Sequence, residues 1–403
     1  MNIAFGHEIF LPESNGIVTA TFDQAKHLIE LGHNVYFFVP ENKELTEDII
    51  DGIHIIQVRA PKGFLYRGMR TIRKRDKTIY NGFKDNNIDI VVGLSPWKMG
   101  LACNYSAEKL NIPAVGIHHT LIDNPEYIQY VAPSKHIQKL FSKWAWPLIL
   151  KPYYKKTWVI TAPAHGTCQQ IKDHLPNADV RYISNGTDIE KFSKPKSADI
   201  SDKIPNEWIG KNTLIYVGRL GLEKAIDKTI TAFKIAADSN PNLKLIIVGS
   251  GPFESKMKEI IKRDKLHDKI LLTGMIPNDD IINSKVLSQC AAFVTASVSE
   301  NQSMTVIEAL CSNLPVICAN VPNMSDLVDD TKGWLFEPNN PEDMARCMLE
   351  ATSNVELRDK KAVNAGNSKV NYEGMKVTKE FVELYEEMIE KKKSGFTAKD
   401  IKL

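Results

Sequence analysis

From residue 127 to residue 172 this 403-residue chain contains no Asp or Glu, although seven lysines fall in the same stretch. Nowhere does an apolar run approach the roughly 18 residues that a membrane-spanning helix needs. The start, Met1-Asn-Ile-Ala-Phe-Gly, lacks the charged region and cleavage site of a secretory leader. A cytoplasmic location is expected, with any membrane contact peripheral. The six cysteines are scattered and form no Cys-x-x-Cys pair, so they read as small reduced core residues rather than as a zinc site or a disulfide framework. There is no Gly-x-Gly-x-x-Gly, which disfavours a dinucleotide-binding dehydrogenase. There is no Asp-x-Asp either, so no catalytic metal is implied and no cofactor is expected. A net charge of +2 argues against wholesale nucleic-acid binding.

What is present is organised around residues 291–318. Residues 291–295 (AAFVT) form a short β-branched apolar run, the pattern of a buried parallel strand. Residues 297–303 are polar and read as a loop. Residues 304–311 place Ile307, Leu310 and Cys311 on one helical face behind the capping-type Ser303, and 314–318 is the next strand. Glu300 therefore falls in the loop and Glu308 one turn into the helix, at the carboxyl edge where open α/β sheets bind ligands. First-turn N–H groups favour an anion there, and carboxylates accept hydrogen bonds from hydroxyls. A ligand with both phosphate and polyol, such as a nucleotide sugar, suits both halves. In residues 213–225 Arg219 follows another strand and Lys224 lies at a helix start, two cations suited to a diphosphate.

Towards the amino terminus, strand 2–5, a helix carrying Ala25, Leu28, Ile29 and Leu31 that stops at Gly32, and strand 35–39 make one βαβ unit, with Gly16 near the helix start. Strand 114–117 runs directly into His118-His119-Thr120, which puts a histidine at a carboxyl edge. Residues 62–77 hold seven Lys/Arg against one acid, Arg70 and Arg73 among them, with Phe64, Leu65, Tyr66 and Met69 interleaved. The acid-free stretch interleaves Lys135, Lys139 and Lys143 with Trp144 and Trp146. Lysines and interfacial aromatics about an apolar patch mark a surface helix lying in an anionic leaflet. An ordinary amphipathic helix whose lysine stems cover the core, or a single-stranded nucleic-acid surface, are the rival readings. Pro147 is expected to break the segment in two. Polar residues 193–205 read as a linker, residues 375–392 as a last helix, and the tail after it as mobile. The domains expected are 1–192, 193–374 and 375–403.

The Glu-x7-Glu arrangement with its Leu-Pro-Val strand, the Arg219/Lys224 spacing and the Asn185-Gly186-x-Asp188-x-x-x-Phe192 signature resemble the retaining family-4 glycosyltransferases of the GT-B fold. Within that family, His119-Thr120 resembles the His-Thr of glycolipid-forming members, the bacterial diacylglycerol glucosyltransferases. The resemblance implies two Rossmann-like α/β domains facing a cleft, with a C-terminal helix crossing back. The implied reaction is metal-independent transfer of a hexose, glucose, from a UDP-sugar to a lipid hydroxyl at the inner leaflet. Arg219 and Lys224 would stabilise the leaving diphosphate, and His119 and Glu300 would contact the sugar. Gly16 would let the backbone approach the phosphates, and Thr120, Asn301, Gln302, Ser303, Met304, Thr305 and Glu308 would line the substrate site. An anionic membrane surface would be the partner, held by Arg70, Arg73, Lys135, Lys139, Lys143, Trp144 and Trp146. A soluble, wall-polymer or protein acceptor, or a non-catalytic sugar-nucleotide scaffold, remain as alternatives. Two departures stand out: relatives have glycine in the loop after the first Glu and after the Lys, where this chain has Asn301-Gln302-Ser303 and Ala225.

Overall fold

Two parallel sheets organise the chain in a computed structural model that describes residues 1–8, 16–60, 72–119 and 134–403. One unit comprises residues 1–187 with 374–403, and the other residues 188–373. The boundary expected at 192 falls at 187/188, because Ile189 and Phe192 pack against the core of the second unit. Ile200 and Ile204 are buried in the same core, so residues 193–205 are part of that unit and not a linker.

The first sheet contains β1 (Asn2–Gly6), β2 (Asn34–Pro40), β3 (Ile49–Ile50), β4 (Ile53–Val58), β5 (Ile90–Gly93), β6 (Ala114–Ile117), β7 (Val159–Ala162) and β8 (Val180–Tyr182). Their spatial order is β3-β4-β2-β1-β5-β6-β7-β8, parallel except for the β3–β4 hairpin. The second sheet is wholly parallel, with β9 (Thr213–Val217), β10 (Lys244–Val248), β11 (Ile270–Gly274), β12 (Ala292–Val294), β13 (Val316–Ala319) and β14 (Gly333–Phe336) in the order β11-β10-β9-β12-β13-β14. Helices cover both faces of each sheet, which is why the strands read as unbroken apolar runs. In β10, Leu245 and Ile247 enter one core while Ile246 and Val248 enter the other. Each sheet reverses direction once, between β1 and β5 and between β9 and β12. Those two places are the switch points where loops diverge and ligands are accommodated.

The last helix, Gly374–Lys393, packs on the first unit through Val377, Phe381, Leu384, Tyr385 and Met388, the residues its periodicity singles out. Burial of each is worth about 1.5–3 kcal/mol, and Arg181 adds an ion pair to Glu387. The tail beyond it is docked, contrary to expectation. Phe396 meets Trp158 at 4.8 Å between ring centroids, Thr397 and Asp400 form a capping box, and Asn177 donates to the Leu403 carbonyl. Pro147 does not break its segment either. Helix Lys135–Ala145 runs into a π-helical turn, Trp146–Leu150, and then helix Lys151–Tyr154. The wider turn accommodates a ring that an α-helix would not. All six cysteines are buried thiols.

Ala225 shows why glycine suits the position after Lys224. It joins a 3-10 turn, Leu222–Lys224, to the helix Ile226–Ser239 in the left-handed region, at φ 49 and ψ 41. A Cβ is disfavoured there by roughly 1–2 kcal/mol. Ala225→Gly is expected to raise unfolding stability by about 1 kcal/mol, measured as a higher urea midpoint with an unchanged slope.

Candidate active site

The second switch point gathers the charged residues. β9 and β12 are paired neighbours, Leu214 opposite Ala292 and Ile215 opposite Phe293, so the loops leaving their carboxyl ends emerge side by side. The β9 loop carries Arg219, Glu223 and Lys224, and the β12 loop carries Glu300. Lys224 and Glu300 form an ion pair, both largely buried. Arg219 pairs with Glu223, a residue the motif reading passed over although it sits between the two expected cations. The Ser297 and Ser299 hydroxyls donate to the Glu223 carbonyl at 3.0 and 3.4 Å, lacing the loops together. Asn323 donates its amide to the Glu300 carbonyl at 3.0 Å. Behind Arg219, the Tyr216 hydroxyl donates to the Arg219 carbonyl at 3.1 Å. The turn after β10 closes in so tightly that a Cβ on Gly251 would lie 2.4 Å from the Leu220 carbonyl oxygen, hence glycine.

Asn301, Gln302 and Ser303 are buried and lead into the helix Met304–Cys311. Ser303 occupies the cap position, but its hydroxyl lies 3.2 Å from the Thr305 hydroxyl instead of bonding a first-turn N–H. Met304 and Thr305 are half-buried. Glu308, on the same helix, accepts a hydrogen bond from the Asn278 amide at 3.1 Å. Neither Asn278 nor Asn323 carries a signal in the sequence that could have found it.

In the first unit the switch point between β1 and β5 is crossed by Glu8, also missed by sequence reasoning. Its buried carboxylate accepts from the Met99 N–H at 2.5 Å at the start of helix Lys98–Leu110. Burial outweighs the hydrogen bonds from Met99, Gly100 and Ser95 and pushes its pKa up to about 7. Next along the sheet edge, β6 delivers His118 and His119. The His118 Nδ1 shares a 2.5 Å hydrogen bond with the Tyr154 hydroxyl. His119 is half-buried; desolvation, with His7 and His118 nearby, drives its pKa down to about 3. It is therefore a neutral ring at physiological pH, fit to give or take a hydrogen bond and not to act as a cation. It borders a crevice lined also by Gln24, His27 and Asn185. Gly16 opens its helix and is exposed. Thr120 and Arg70 lie outside the described residues, and of Lys135 only the backbone is described.

The lysine-aromatic segment presents a defined surface. Ile137, Leu140, Trp144 and Leu148 are 53, 57, 46 and 66 % exposed and follow helical spacing, making one apolar stripe with Lys139 and Lys143 exposed beside it. Trp146, expected on that stripe, is buried instead. It stacks on His174 at 4.1 Å and on His118 at 6.2 Å, so tertiary contacts claim it for the interior. Arg73 is exposed. Beyond it, Lys74, Arg75, Lys109 and Lys156 all lie 5.4–5.7 Å from the ring of Tyr105, a cationic cluster in which Glu108 pairs with Lys156. No helix among the described residues is long and apolar enough to cross a membrane. Among the same residues no group of three His, Cys, Asp or Glu is placed to hold a metal.

Two α/β units built on parallel sheets, the second with cations and acids gathered at its switch point, fit a glycosyltransferase, and comparison with known proteins agrees. The model described as "Glycosyltransferase Family 4" matches residues 14–191, and that described as "Glycosyl transferases group 1" matches 199–367. The chain belongs to the family-4 glycosyltransferases of the GT-B fold. It is 27 % identical to the alpha-monoglucosyldiacylglycerol synthase of Acholeplasma laidlawii, over 97 % of this chain and 98 % of that one. Identity to the protein of the same name from Streptococcus pneumoniae is 24 %, over 87 % and 78 %. Among solved structures, HepE of Anabaena in complex with UDP and glucose superposes with a TM-score of 0.74 at 16 % identity, covering 96 % of this chain and all of that one.

Glu8 gives the first unit a pH signature. Between pH 4.5 and about 7 the folded chain keeps a proton that the unfolded chain has released. Stability should therefore fall as pH rises through that window. Glu8→Gln removes this titration, and its stability relative to the parent should climb from pH 4.5 to 8 in parallel denaturation curves. A constant offset across that range would mean that Glu8 is ionised throughout.

Proposed function

We propose that the protein transfers glucose from UDP-glucose to the free hydroxyl of diacylglycerol at the anionic inner face of the cell membrane, retaining the anomeric configuration and using no metal. The observation that carries the reading is that one chain joins a charged constellation suited to a diphosphate and a sugar, Arg219, Lys224, Glu300 and Glu308, to an exposed apolar stripe with exposed lysines beside it, in a stretch whose sequence holds no acid from 127 to 172. The names of the relatives support the lipid acceptor, and the UDP and glucose held by a structural neighbour support the donor.

In this reading the bond between the anomeric carbon and the diphosphate oxygen breaks as the acceptor oxygen bonds that carbon, and the acceptor's proton leaves with the diphosphate. The charge that develops is met by Arg219 and Lys224, the largest expected term. Glu300 and the backbone of residues 301–303 orient the sugar hydroxyls, and Glu308 holds the ribose. His119, as a neutral ring, is assigned a hydrogen bond to the sugar. The front-face route passes through an oxocarbenium-like state and needs no carboxylate nucleophile. Ile137, Leu140, Trp144 and Leu148 enter the leaflet while Lys139, Lys143 and the Tyr105 cluster meet its anionic headgroups.

The direct test incubates labelled UDP-glucose with diacylglycerol in anionic vesicles and excess chelator. Label should enter the organic phase, and Glu300→Gln should cut that transfer by about 10²-fold while UDP affinity stays within about threefold. Label appearing only in protein or polymer would replace the lipid acceptor, and a strict demand for added Mg²⁺ or Mn²⁺ would contradict the metal-free route. The surface is tested separately. Leu140→Ser with Trp144→Ser should weaken vesicle binding at least tenfold, since each side chain brings on the order of 1.5 kcal/mol of burial. Unchanged cosedimentation would remove the stripe from the membrane contact.

A further inference from the structure

Both cations assigned to the diphosphate are answered by carboxylates of the same chain, and the two acids differ in kind. Glu300 has a task in the proposed reaction. Glu223 has none, yet it is only 6 % exposed, and burial pushes its pKa above the ordinary carboxylate range. A carboxylate withdrawn from water is costly unless it is paired. A pocket meant for a dianion is also the least hospitable place for one more negative charge. Each of the two cations is thus held in an ion pair before any ligand arrives.

The geometry resolves the conflict. Glu223 sits on the 3-10 turn Leu222–Lys224, with its backbone carbonyl held by the Ser297 and Ser299 hydroxyls. Its backbone is pinned and its side chain is buried, whereas the Arg219 side chain is 47 % exposed. The Arg219 backbone is held from behind by the Tyr216 hydroxyl. A guanidinium is a rigid plane with its donors in a fork, so anchoring one amino group on a buried carboxylate of a pinned turn sets the direction of the rest. Resting on the donor reading above, we infer that Glu223 is a positioning residue: its carboxylate holds the Arg219 guanidinium plane in the orientation that receives the sugar nucleotide's diphosphate. An unanchored long side chain would have to be ordered at every binding event, and that cost would be subtracted from affinity.

A residue that acts through a second one falls silent once the second is removed. The test measures UDP and UMP binding by calorimetry to the full chain, to Glu223→Ala, Glu223→Gln and Arg219→Ala, and to the Arg219→Ala/Glu223→Ala double variant. Glu223→Ala should weaken UDP binding roughly tenfold and leave UMP within about twofold, since UMP lacks the second phosphate. Glu223→Gln keeps an acceptor at the same reach and should recover most of the loss. In the Arg219→Ala background, adding Glu223→Ala should change nothing further. Tighter UDP binding by Glu223→Ala would overturn the inference and make Glu223 a competitor of the diphosphate. Equal loss of UDP and UMP, or an undiminished effect without Arg219, would reduce it to a fold-supporting residue. If the unaltered chain binds no UDP, the donor reading itself has failed, an outcome distinct from all of these.

Discussion

The adjacency of β9 and β12 is the constraint from which the chemistry of the second unit follows. A parallel sheet that winds outward in two directions leaves one pair of central strands whose following loops part company. Here those loops carry opposite charge, Arg219 and Lys224 on one and Glu300 on the other. Because Leu214 and Ile215 are in register with Ala292 and Phe293, a lysine and a glutamate 76 residues apart meet as an ion pair. Glu223 and the serines at 297 and 299 tighten the same seam. The first unit repeats the device in a quieter form, with the Glu8 carboxylate spanning from the loop after β1 to the helix that follows β5.

Much of this was legible in the residues alone, for reasons that can be stated. Strands buried on both faces are apolar without interruption, so most of the central strands could be read with small errors at their ends. The helix Met304–Cys311 and the packed face of the last helix follow from spacing. What could not be read depends on distant partners. Trp144 and Trp146 are two residues apart, so helical spacing puts them on opposite faces, but only the stack with His118 and His174 shows which face is interior. Residues 193–205 look like a linker because two isoleucines among polar neighbours give no period, yet both are core. Glu223 was in plain view between two expected cations, but a buried acid there contradicts the simple picture of a phosphate pocket.

The apolar stripe runs directly into the residue that stacks on His118 and His174. The helix that carries most of the stripe ends at Ala145, and the next residue stacks against His118. Helical spacing puts Trp146 opposite the stripe, and the π-helical turn Trp146–Leu150 carries the chain past Pro147 without a break. Basic residues of the neighbouring segment add Lys74 and Arg75 to the ring of cations at Tyr105.

The six buried thiols have a practical meaning outside the fold itself. Burial pushes the Cys103, Cys290, Cys311, Cys318 and Cys347 thiols up, away from the thiolate that reacts, and Cys168 is buried with them. The native surface is thus chemically silent towards thiol reagents. A single cysteine placed beside the stripe, at Lys139 for instance, would carry a fluorophore or spin label alone, so the depth of this helix in a bilayer could be read without first stripping the chain of its own sulfur.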